Sequence, residues 1–136
     1  LETDPPIGTK QRLEKAVSIA VEILESFEAA ARDFERRDLE AAQSELSEGV
    51  DTLTTFVNWY LLVLRSDEKR LASVISQIDD KIISPLQKVC DDLAESELYS
   101  SSTALSIAIS EQLLPRLRDL HHFTQAALEF YLRADI

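Results

Sequence analysis

Between Leu39 and Leu64, apolar residues recur at alternating spacings of three and four: Leu39, Ala42, Leu46, Val50, Leu53, Val57, Tyr60 and Leu64. At 3.6 residues per turn this spacing lays all eight on one face of an α-helix, and it does not fit the two-residue period of a strand. Glu40, Ser44, Glu45, Ser47, Glu48 and Asp51 fall mostly between them, so the first half of the segment is amphipathic. The second half differs. From Thr52 to Leu64 the polar side chains are Thr52, Thr54, Thr55 and Asn58, and none is charged. A helix apolar nearly all round is covered on several sides. This half is therefore expected either to be the most enclosed part of the molecule or to carry a contact surface.

The same period runs through the rest of the chain. Leu13, Val17, Ala20, Leu24, Phe27, Ala31 and Phe34 form a stripe ahead of this segment, with Thr9 as a candidate N-cap. Asp38 is the expected cap of the second helix, and the tight connection implies an antiparallel hairpin. Ser66 is the expected N-cap of a third helix, with Asp67 and Glu68 in its first turn, where negative charge is favoured. Leu71, Val74, Ile78, Ile82, Leu86, Val89 and Leu93 keep phase across Pro85. Leu98, Leu105, Ala108, Ile109, Leu113, Leu117, Leu120, Phe123, Ala127 and Phe130 do so towards and across Pro115. A proline inside a helix removes a hydrogen bond, but unbroken phase favours a kink over a break. The expected fold is an all-α, antiparallel four-helix bundle of long helices, the third and fourth kinked at Pro85 and Pro115. Helices are expected at about 9–37, 38–65, 67–95 and 97–132, in one domain spanning 9–136. Residues 1–8, with two prolines and a glycine, are expected to be an extended or disordered lead-in.

Composition narrows the function. The net charge of −11 argues against binding nucleic acid or anionic lipid. The longest apolar run, Trp59 to Leu64, is far short of the roughly 20 residues that span a bilayer. A single cysteine, Cys90, precludes an intrachain disulfide. With no charged segment and apolar run opening the chain, no signal peptide is expected, and the expected location is cytoplasmic.

Catalytic and metal chemistry find few residues to work with. Carboxylate-bridged metal bundles need Glu-x-x-His pairs on two helices, whereas the only histidines are the adjacent His121 and His122. Asp119 and His122 are expected to pair at the surface. The acidic run Asp91, Asp92 and Glu95 is expected to be a solvated face. Cys90, next to Val89 and near Leu93, is expected to be a small buried hydrophobe rather than a nucleophile. Gly8 and Gly49 are the only glycines, so there is no phosphate loop, and Gly49 is expected either to admit close helix approach or to mark a soft spot. No catalytic residue, cofactor, metal or small-molecule substrate is expected. The candidate interaction surface is Thr55, Phe56, Trp59, Tyr60 and Leu62, because aromatic side chains anchor interfaces.

Phe34, followed by Asp38-Leu39-Glu40-x-Ala42 and then Leu46, resembles the helix-turn-helix of bacterial flagellar export chaperones of the flagellin-binding type. That resemblance implies a helical bundle that binds a helix-forming partner segment in apolar grooves. It covers residues 20 to 64, and the tyrosine-containing N-terminal segment of those chaperones is missing. Trp59 late in the second helix, with Glu111, Pro115 and Leu117 in the last, is also similar to small uncharacterised bacterial helical-bundle proteins. The expected function is a non-catalytic interaction module: a chaperone, adaptor or assembly partner binding an apolar helical segment or another subunit near the second helix. The alternatives are a structural homodimer and a carboxylate-based metal-binding bundle.

Overall fold

The computed structural model describes residues 8–97 and 102–134. They form four long helices and no strand. Helix α1 is Thr9–Glu35 and α2 is Leu39–Arg65. Helix α3 runs as Glu68–Ile78, passes through a π-helical turn at Asp79–Ile83 and continues as Ser84–Glu97. Helix α4 repeats that construction with Ser102–Ala108, a π-turn at Ile109–Leu113, and Leu114–Ala134. This is the expected all-α four-helix bundle, with helix ends displaced by at most five residues. Residues 1–7 of the expected lead-in, and Leu98 near the expected break, lie outside the described residues.

The prolines explain the π-turns. A proline in an ordinary helix has no N–H for the carbonyl four residues back, and its ring collides with that carbonyl. Those carbonyls belong to Lys81 and Glu111, each inside a π-turn. The amide just before each proline reaches back five residues instead, Ser84 to Asp79 and Leu114 to Ile109. The wider turn takes up the defect, so both apolar stripes continue in phase.

Helix α1 packs closely against α2 on one side and α4 on the other. Its buried face carries Ala16, Ala20, Ala30 and Ala31, whose small side chains let two neighbours approach one helix. A close seat is at Gly49 of α2. A Cβ built there would lie 3.0 Å from Cζ of Phe27, a side chain with no exposed surface. The absent side chain of Gly49 is thus the socket for the Phe27 ring. Helices α2 and α3 behave differently. Their close packing is confined to Glu68–Ile78, just after the connection, and beyond it they diverge.

One end of the bundle is tied by polar contacts. Thr9 and Ser66 share a hydroxyl hydrogen bond of 2.9 Å. The Tyr131 hydroxyl near the end of α4 donates to Asp67 Oδ2 at 2.9 Å, and Arg70 lies 5.1 Å over the Tyr131 ring. These contacts correct two expected caps. Gly8, not Thr9, is the N-cap of α1, and Thr9 is its first helical residue. Ser66 closes α2 instead of opening α3, because its hydroxyl donates to the Val63 carbonyl at 2.6 Å. The N-cap of α3 is Asp67, whose carboxylate accepts from Tyr131 and makes no cap hydrogen bond to its own helix. Asp38 does cap α2, accepting from the Ala41 amide.

The α1–α2 turn contains no glycine, and Arg37 takes the left-handed conformation with φ of 65°. That conformation costs a side-chain-bearing residue about 1–2 kcal/mol, partly offset because glycine has more freedom to lose on folding. Arg37 is exposed, so nothing is lost from packing. Arg37→Gly is expected to raise stability by about 0.5–1 kcal/mol in chemical denaturation.

Candidate helix-binding grooves on α2

The second half of α2 has a buried line, an exposed ridge and a groove on each side of the ridge. Leu53, Phe56, Tyr60, Val63 and Leu64 form the buried line. Asp51, Thr55, Asn58 and Leu62 form the ridge, with Leu62 68% exposed. One helix is thus both core and surface, which accounts for apolar residues beyond what a single seam needs.

The groove beside α1 has a volume of about 460 Å³ and is lined by Lys15 and Ile19 of α1 with Asp51, Thr52, Thr55, Phe56 and Trp59 of α2. Trp59 is half-buried, its ring 6.0 Å from that of Phe56 and tilted by 42°. This groove gathers Thr55, Phe56 and Trp59 from the expected surface. Leu62 follows on the same helical stripe, seven residues beyond Thr55. Tyr60 does not belong to the surface. It is 1% exposed and stacks on Phe56 at 5.6 Å, because four residues along it faces the core.

The Tyr60 hydroxyl has no hydrogen-bond partner among the described residues. Burial pushes its ionisation well above the usual tyrosine range. A buried hydroxyl without a partner costs about 1–3 kcal/mol. Tyr60→Phe is expected to stabilise the fold by about 1 kcal/mol, measured as a higher denaturation midpoint at unchanged slope.

The second groove opens where α2 and α3 diverge. Val50, Leu53, Val57 and Leu61 of α2 face Ile83, Leu86 and Cys90 of α3 across about 370 Å³. A further hollow of about 240 Å³, lined among others by Leu46, Leu93 and Leu113, extends it. From Leu46 to Leu61 the floor is about 22 Å long at 1.5 Å per residue. The rim carries Asp51, Thr54 and Asn58 from α2, and Asp79, Gln87 and Asp91 from α3. Gln87 donates to Asp91 at 2.9 Å. No lysine or arginine lines this groove among the described residues. The expected surface did not include it. Its sequence signal was the extra apolar pair Ile83 and Cys90, seven residues apart beside the main stripe of α3.

Burial and the neighbouring Asp91 push the Cys90 thiol up, which disfavours the nucleophilic thiolate. Cys90 is half-buried, less enclosed than expected, because it stands in the groove. Asp119 pairs with Arg116 at 3.7 Å rather than with His122. Among the described residues, no three His, Cys, Asp or Glu side chains gather in metal-binding geometry, and no helix is long and apolar enough to cross a membrane.

One acidic pair bridges α1 and α2. The Glu45 carboxyl is held above its usual range by a hydrogen bond to Asp33, by burial, and by repulsion from Asp33 and Asp38; Arg32 acts the other way. With both groups ionised, two acceptors meet without a donor, and Glu45 Oε1 has no partner. A proton on Glu45 supplies one. A raised carboxyl value favours the protonated fold, so this contribution is full below about 4.5 and is lost as pH rises through the raised value. Glu45→Gln is expected to raise the melting temperature at pH 7, with the difference vanishing towards pH 4. Solvent screening limits the gain to under about 1 kcal/mol.

Comparison with protein-family models, with curated proteins and with solved structures finds no match for this chain.

Proposed function

We propose that this protein is a non-catalytic interaction module that captures an amphipathic helical segment of another protein along α2. The supporting observation is the divergence of α2 from α3 beyond Ile78, which leaves Val57, Leu61, Ile83 and Cys90 in an open apolar groove. A four-helix bundle that had no use for this surface would close it, since each buried aliphatic side chain contributes about 1.5–3 kcal/mol. An amphipathic helix laid into an apolar groove is a recurrent mode of recognition. The groove beside Trp59 offers a secondary contact over the Thr55 and Leu62 ridge.

The protein carries a reporter in each groove. Cys90 is the only cysteine and Trp59 the only tryptophan. A synthetic amphipathic peptide of four or five helical turns, with a leucine stripe and an uncharged glutamine face, is expected to slow the reaction of Cys90 with a thiol reagent. Val57→Asp, which places a charge in the groove wall, is expected to abolish that protection while leaving the helical circular dichroism intact. Unchanged Cys90 reactivity at saturating peptide overturns the assignment. Light scattering separates the homodimer alternative: a dimer with Cys90 protected in the absence of any peptide assigns the groove to a second copy.

A further inference from the structure

The rim of the α2–α3 groove specifies the charge of its occupant. Asp51 stands on one bank, and Asp79 and Asp91 stand on the other. No cation among the lining residues offsets them, and the whole chain carries −11. An apolar floor between acidic banks complements a helix with an apolar stripe flanked on both sides by lysine or arginine. It repels a helix with acidic flanks, because like charges across an interface are a strong barrier to pairing.

We infer that the groove takes a basic amphipathic helix of about 15 residues from a partner protein, the length that spans the 22 Å floor. This rests on the reading of the groove as a helix-binding site. Two competitors drawn from the same sequence, its own N-terminal residues and a second copy, are unfavourable on charge. Residues 1–8 contribute Glu2 and Asp4, two prolines and no basic residue. A second copy would bring another −11 onto an acidic rim, and the exposed faces of α1 and α2 carry many glutamates.

The test uses three synthetic peptides that share one leucine stripe and differ on the flanks, carrying lysine, glutamine or glutamate. The full chain is titrated with each, and Cys90 protection is read at low and high salt. The lysine peptide is expected to bind roughly tenfold or more tighter than the glutamine peptide, as three partly screened ion pairs imply. The glutamate peptide is expected to bind more weakly than either. High salt should compress the three towards one affinity. In the triple variant Asp51→Asn, Asp79→Asn, Asp91→Asn, the lysine preference is expected to collapse while the glutamine peptide binds as before. These carboxylates are exposed, and isosteric amides leave the fold intact.

Equal affinity for all three peptides overturns the charge inference and leaves the helix-binding site standing. Failure of every peptide to protect Cys90 overturns both. Binding that shifts Trp59 fluorescence but leaves Cys90 reactive also overturns the inference, because it places the peptide in the other groove. A lysine preference that survives in the triple variant shows that the selectivity lies elsewhere on the acidic surface and likewise overturns it.

Discussion

Replacing Phe27 with alanine is expected to destabilise the protein by about 3–5 kcal/mol, measured by urea denaturation monitored by circular dichroism. The ring has no exposed surface, and it fills the socket left by the missing side chain of Gly49. Its removal leaves a cavity at the α1–α2 seam. The reciprocal change tests the same geometry. Gly49→Ala supplies about 1 kcal/mol of helix propensity. It also puts a methyl group 3.0 Å from the edge of a ring with no exposed surface, and overpacking of this kind costs about 1–3 kcal/mol. Gly49→Ala alone is therefore expected to destabilise. In the Phe27→Leu background the collision is absent, and the same substitution is expected to stabilise. A change of sign between the two backgrounds identifies the socket; additivity removes it.

Replacing Asp67 with alanine is expected to destabilise the fold by about 2 kcal/mol, the range of a hydrogen bond to a charged group. Asp67 opens α3, yet its carboxylate accepts from Tyr131 at 2.9 Å, and so ties the start of α3 to the last turns of α4. Its ion pair with Arg70, at 3.8 Å and partly exposed, adds little. A double-mutant cycle with Tyr131→Phe isolates the pair. A coupling of about 1.5 kcal/mol is expected, whereas a coupling near zero would assign the loss to the Arg70 ion pair and to the negative charge at the start of α3. Amide exchange is expected to rise at the end of α4 in Asp67→Ala, because the tie is what holds that end against α3.

The effects of these two substitutions differ in how far the sequence foretold them. Phe27 lies on a stripe with Leu24 and Ala31, and Gly49 was expected to permit close approach, so both sides of the socket were visible as periodicity. Their meeting was not. Asp67 was expected to favour the α3 dipole as a first-turn acid, and its use by a tyrosine 64 residues away has no local signature. The candidate surface divided in the same way. Thr55, Phe56 and Trp59 share a groove, Leu62 stands exposed beyond it, and Tyr60 points inward. A 100° step per residue separates Trp59 from Tyr60, and the stripe had already placed Tyr60 with Leu53 and Leu64.

The amino-acid sequence by itself determined that four helices form, where they begin and end to within a few residues, and which face of each turns inward, except that Leu39 and Phe130, at the ends of their stripes, are exposed. Those properties follow from backbone geometry and from the spacing of apolar side chains, both of which are local. It also showed that the stripes run through Pro85 and Pro115. The tertiary structure alone decided that a π-turn precedes each proline, that α1 rather than α2 is packed closely on two sides, and that α2 and α3 part beyond Ile78. Those outcomes depend on which helix pairs can approach most closely. The alanines of α1 and the glycine of α2 settle that only when they are brought face to face. The apolar groove with acidic banks is the space that this unequal packing leaves.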